Sequence, residues 1–119
     1  MTTQDIASKL VAYCREGNFE KALDELFAQD AVSIEQHATP DFEKETKGMD
    51  AIRQKGEKWN KMVEKLHSVT VSEPLVAPNS FACILEMNVT MHQHGDVAMK
   101  ELCVYTVKDG KIVSEEFFM

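Results

Sequence analysis

Apolar residues recur at helical spacing through the first half of this chain and alternate with polar ones through the second. Ile6, Leu10, Tyr13 and Cys14 fall on one helical face, Thr2 or Thr3 can cap that helix, and Gly17-Asn18 ends it. Phe19, Ala22, Leu23, Leu26 and Phe27 repeat at three and four residues and predict a second, short amphipathic helix capped by Asn18. The pair reads as a helical hairpin. Ala31 to Glu35 then reads as a short strand, and His37 to Lys47, which contains Pro40, as a polar loop. From Asp50 to about Lys65 a third helix lines up Ile52, Trp59, Met62, Val63 and Leu66 on one side. Gly56 interrupts that side, either admitting a close approach or simply weakening the helix.

Beyond Leu66 the pattern is that of strands: His67 to Val76, Ser80 to His92, Val97 to Val107 and Lys111 to Phe118. Ala77-Pro78-Asn79, Gln93-His94-Gly95-Asp96 and Lys108-Asp109-Gly110 supply the turns. Three helices followed by a four-stranded antiparallel meander, with the early strand available at an edge, predict an α+β fold in one domain over residues 1–119. The last strands are apolar on both faces. One face is expected to cover the helices and the other to pack on a second copy, giving a homodimer through the sheet.

Length changes this picture little, since 119 residues suffice to bury roughly two-thirds of the surface of the unfolded chain without disulfides. The three cysteines, Cys14, Cys83 and Cys103, lie far apart in apolar-periodic segments and read as reduced core thiols. Charges are scattered through the first twenty residues and no apolar run is long enough to span a bilayer, so a soluble cytoplasmic protein without membrane attachment is expected. A net charge of −7 without a basic cluster argues against nucleic acid as a partner.

The closing hairpin carries the candidate chemistry. Asp109-Gly110 separates two runs rich in Val, Ile, Tyr and Phe. With a three-residue loop ending in a Gly bulge, Val107 faces Lys111, Tyr105 faces Val113, Cys103 faces Glu115 and Glu101 faces Phe117. Glu101 and Glu115 then share one face among apolar neighbours. With a two-residue turn, Glu116 replaces Glu115 beside Cys103. A carboxylate placed among apolar groups needs a partner or a raised pKa, which makes such a site a functional candidate; solvated surface glutamates are the plain alternative.

A two-residue turn at His94-Gly95 would set Asn88 opposite Glu101 and Glu86 opposite Cys103, adding both to the same face. Clustered carboxylates cannot all ionise cheaply, so one could act as acid and another as base, while Asn88 could orient a bound carbonyl or merely satisfy Glu101. Glu35 and His37 leave the first strand on one side and are expected near the pocket mouth. Trp59 is either a core residue or a pocket wall, and Tyr105 and Phe117 supply further apolar wall. His92 and His94 form an H-x-H pair without a suitably spaced third ligand, so no metal is expected. The sequence has no phosphate loop, zinc-type CxxC or nucleophile elbow, and no cofactor is expected.

The segments LFAQDAVSIE (Leu26 to Glu35), KGMDAI (Lys47 to Ile52) and ELCVYTVKDGKIVSEEFF (Glu101 to Phe118), with the order of helices and strands, resemble the nuclear transport factor 2-like superfamily. The resemblance is strongest to its SnoaL-like branch, which also holds ketosteroid isomerases and polyketide cyclases. It implies a cone in which a strongly curved sheet wraps around the three helices and leaves an internal apolar pocket, commonly with dimerisation through the sheet. It also implies an acidic side chain acting as a base beside a substrate carbonyl, with Glu35, Glu101 and Glu115 as the matching positions. Asn88 departs from that pattern, because an amide takes no proton at neutral pH.

Three readings follow. The chain is an isomerase or cyclase using carboxylate acid/base chemistry on a small, mainly apolar, carbonyl-bearing molecule; a binding protein in which the same groups only orient a guest; or a module whose sheet face docks a partner.

Overall fold

The computed structural model describes all 119 residues. Helix α1 (Thr3–Arg15) opens with a reciprocal capping box: the Thr2 hydroxyl accepts from the Asp5 amide, and the Asp5 carboxylate accepts from the Thr2 amide, each at 3.1 Å. Helix α2 (Phe19–Leu26) starts at Asn18, whose side chain accepts from the Lys21 amide. The expected helical hairpin is present, with Gly17 in the left-handed region at φ +72° between the two.

Strand β1 (Phe27–Ile34) follows α2 directly, because Phe27 is already extended at φ −95°, ψ 144°. The strand expected at Ala31 to Glu35 therefore begins earlier. Strand β2 (Glu45–Lys47) pairs antiparallel with β1 and lies inside the expected polar loop. Helix α3 (Met49–Met62) runs without a loop into β3 (Val63–Val71), so Val63 and Leu66 belong to a strand instead of the helix. The expected strand His67 to Val76 is broken at Ser72–Pro74, leaving the short β4 (Leu75–Val76). The remaining strands are β5 (Ser80–Met91), β6 (Gly95–Lys108) and β7 (Lys111–Phe118), close to their expected bounds.

All seven strands form one sheet in the order β2-β1-β7-β6-β5-β3, with β4 also on β5. The fold is α+β: three helices against a curved, unclosed sheet. The β1–β7 pair is parallel, so the sheet is mixed and not purely antiparallel as expected. Register shifts in the β3–β5, β6–β7 and β1–β7 ladders mark bulges, and bulges raise local twist and bend a sheet around what it covers.

The concave face buries Phe81, Cys83, Leu85, Met87, Val89 and Met91 in strict alternation along β5. Phe81 stacks on its cross-strand partner Tyr105, with ring centroids 4.8 Å apart. Ile6 and Leu10 of α1, Leu26 of α2 and Ile52 of α3 complete the core from the helical side. No helix is long and apolar enough to cross a membrane.

Candidate active site

Between the helices and the concave face lies a cavity of about 590 Å³, inside the range of small-ligand pockets, roughly 300–1,000 Å³. Leu10 and Cys14 of α1, Phe19 and Leu23 of α2, and Ile52, Gly56 and Trp59 of α3 form one side. Leu85 and Met87 of β5, Met99 and Tyr105 of β6, and Phe117 of β7 form the other. The lining is largely apolar, and Glu35, Glu101 and Glu115 project into it.

Turn geometry puts two of these carboxylates together. Lys108 pairs with Lys111 across a two-residue turn whose Asp109 and Gly110 both have positive φ, 53° and 76°, the signature of a type I′ turn. The expected three-residue loop is thus absent. A bulge at Val113 then shifts the ladder, so Tyr105 faces Glu115 and Cys103 faces Phe117. Glu101 and Glu115 share the concave face, as the first of the two turn alternatives requires, by a different route.

Both carboxyls are hard to ionise. Burial pushes Glu101 up to about 7, helped by repulsion from Glu35 and Glu115 and opposed by Lys55. Burial likewise pushes Glu115 up to about 7, with the Ser33 hydroxyl and Lys55 pulling it down and Glu35 pushing it up. Glu35, at the end of β1, forms a 2.6 Å ion pair with Lys55 of α3, whose side chain is 18% exposed. The Lys55 ammonium also donates to the Ser33 hydroxyl at 3.0 Å and lies 5.5 Å from the centre of the Phe117 ring.

Trp59, Tyr105 and Phe117 line the cavity, Trp59 as pocket wall, the second of its two readings. Glu86 and Asn88 do not. The β5–β6 connection is the three residues His92 to His94, with Gly95 at φ +69° pairing with Met91, which sets Glu101 opposite Leu85, Glu86 opposite Lys100 and Asn88 opposite Ala98. Glu86 and Asn88 therefore point to the convex face, where Asn88 donates to the Ser68 hydroxyl at 2.8 Å and Glu86 lies 3.7 Å from the Lys100 ammonium. His37 is exposed in the loop after β1 and does not reach the cavity.

Lys55 and Ser33 belong to the cavity network but were not singled out from the pattern. The signals exist: Lys55 sits three residues after Ile52 and four before Trp59, on the apolar side of α3, and Ser33 falls between Ala31 and Glu35 on the inward phase of β1. Ser33 is fully buried, the one polar residue among the buried set.

Two carboxyls poised near neutrality in an apolar hollow, beside an ion pair, are equipped to take and return a proton. Cys14 and Cys103 are not equipped as nucleophiles. Burial pushes Cys14 up to about 12, and Cys103 is held far up by its hydrogen bond to Cys83 and by burial. No group of three His, Cys, Asp or Glu side chains has an arrangement that could hold a metal ion.

Comparison with known proteins places this geometry. The family model for the SnoaL-like domain matches residues 1–119. A crystal structure from Mesorhizobium loti, provisionally named a SnoaL-like polyketide cyclase with carbohydrate phosphatase in brackets, is similar at 32% identity and a TM-score of 0.90, over 100% of both chains. A Xanthomonas campestris protein of unknown function with a cystatin-like fold is 18% identical, with a TM-score of 0.81 over 99% of this chain and 90% of that one. A hypothetical protein from Catenulispora acidiphila with a ketosteroid isomerase-like fold, in complex with trimethylamine, is 16% identical, with a TM-score of 0.75 over 99% and 87%. No curated protein matches. With its whole length matched and its cone of helices and sheet shared, the chain belongs to the SnoaL-like domain family.

Proposed function

We propose that the cavity binds a small, mainly apolar, carbonyl-bearing molecule and moves a proton on it, as an isomerase or an aldol-type cyclase does. One observation carries the reading: Glu101 and Glu115 face the same apolar cavity and both are raised to about 7, so near neutrality one carboxyl is available as acid and the other as base. The cyclase name of the Mesorhizobium loti protein agrees with proton transfer of this kind. The phosphatase name does not suit the lining, where a phosphate ester would meet Glu35, Glu101 and Glu115 against Lys55 and Arg53, each already paired with a carboxylate.

The convex face supports a second part of the proposal, a homodimer through the sheet. Leu102 pairs with Phe118 and both are 39% exposed, while Ile84 and Val104 lie beside them on the same face. A contiguous apolar surface of this kind is stabilised by contact with another copy.

Exchange of the α-protons of 2-tetralone into deuterated water, followed by NMR, tests the chemistry. The protein should accelerate exchange, and Glu101→Gln and Glu115→Gln should each slow it by about 10²–10⁴-fold. Saturable binding of the ketone without acceleration would instead support a binding protein whose carboxyls only orient the guest.

A further inference from the structure

The cavity holds a chain of polar contacts that the acid/base reading does not by itself require. Lys55 Nζ lies 2.6 Å from Glu35 Oε2 and 3.0 Å from Ser33 Oγ. Ser33 is the cross-strand partner of Glu115 in the parallel β1–β7 ladder. A hydroxyl that accepts from an ammonium still has its own proton to offer, and the Ser33 hydroxyl pulls the Glu115 carboxyl down. The chain of groups thus runs Glu35, Lys55, Ser33 and, across the ladder, Glu115, linking α3 to β1 and β7, and Glu101 on β6 stands outside it. Arg53, the other cation lining the cavity, is engaged with Asp24 at 2.6 Å. Beside carboxyls that burial has partly desolvated, one ammonium acts strongly on its neighbours.

We infer that Lys55 is the positioning residue of the pocket: through Ser33 it keeps negative charge on Glu115 and leaves the mobile proton with Glu101. This rests on the proton-transfer reading above and assigns its direction. Glu115 takes the α-proton, the C–H electron pair becomes the C=C bond, and the carbonyl oxygen, as its π pair moves onto it, accepts the proton of Glu101. The product is an enol, with Glu115 protonated and Glu101 ionised, and the reverse steps deliver the proton to another carbon. The other ionisable groups around the two carboxyls are Cys14 on α1, Glu20 on α2, Arg53 and Glu57 on α3, Cys103 and Tyr105 on β6, and Glu35. None of these donates to Ser33; Lys55 does, and Ser33 pairs with Glu115 across the β1–β7 ladder.

NMR titration of the Glu side-chain carboxyl carbons in the wild type, Lys55→Met, Lys55→Arg and Glu35→Gln tests the assignment. Removing the ammonium should raise the Glu115 midpoint by about one pH unit and the Glu101 midpoint by less. Lys55→Arg should restore the Glu115 midpoint, and Glu35→Gln, which leaves the lysine uncompensated, should lower it. A Glu115 midpoint that stays put in Lys55→Met overturns the role of Lys55. Should that variant fail to fold, an unmoved midpoint in Glu35→Gln has the same force. Wild-type carboxyls that both titrate at ordinary glutamate pH would instead remove the proton-transfer reading itself, so the two failures are told apart.

Discussion

Glu115 stands opposite Tyr105 because Val113 bulges from β7 between Ile112 and Ser114. The type I′ turn alone would set Glu116 beside Cys103 and send Glu115 to the convex face. One extra residue in the ladder reverses the phase of the strand and delivers Glu115 to the cavity. A β-bulge next to a site re-aims a side chain in this way.

Stability should fall as pH rises through neutrality. A glutamate in the unfolded chain titrates near 4.5, whereas Glu101 and Glu115 are raised to about 7 in the fold. Between those values the folded state holds more protons than the unfolded one, so the contribution is complete below the unfolded value and lost as pH passes the folded one. For the two together, allowing for partial exposure and mutual repulsion, the loss is about 2 kcal/mol. Urea unfolding at pH 5 and pH 8 measures it, and Glu115→Gln should flatten the difference. A chain that gains stability over that interval would contradict the burial of these groups.

Ser33→Ala should cost about 1–3 kcal/mol, because the fully buried hydroxyl accepts from Lys55, whose ammonium would lose that partner. The same change should raise the Glu115 midpoint, since the hydroxyl pulls it down. Thermal melting reads the first effect and carboxyl NMR the second; a variant that melts like the wild type would show the hydroxyl to be idle.

Gly56 leaves room in the wall of the cavity. A Cβ built there meets nothing within 4 Å, so no close backbone approach requires this glycine. Gly56→Ala should stabilise α3 by about 0.5–1 kcal/mol, seen as a higher melting temperature. Gly56→Leu should keep the fold and fill the cavity, abolishing binding of 2-tetralone by isothermal calorimetry. Undiminished binding would place the ligand elsewhere.

Charging the convex face should break the proposed homodimer. Leu102→Lys combined with Phe118→Lys puts like charges on cross-strand neighbours at the centre of the apolar patch. Sedimentation velocity should show the wild type at twice the mass of the variant, with α1 to α3 and the cavity unaffected. A monomeric wild type would dispose of the dimer.

Helices α1 and α2, the α+β class and the closing hairpin were legible in the sequence, because capping, 3.6-residue periodicity and an Asp-Gly turn act over a few residues. The boundary between α3 and β3 was less so, since Met62, Val63 and Leu66 continue an apolar pattern that helix and strand share. What only the tertiary structure decided was register and long-range pairing. Whether the β5–β6 connection runs from His92 to His94 or turns at His94-Gly95 determines which face receives Glu86 and Asn88, and both went outward. The parallel pairing of β1 with β7, which brings Ser33 to Glu115 and leaves Glu35 within reach of Lys55, joins residues far apart in the chain through packing that no local pattern encodes. Side chains in a strand alternate with a period of two, so a slip of one residue moves a carboxylate from water to cavity, while the local preferences that make it a strand stay the same.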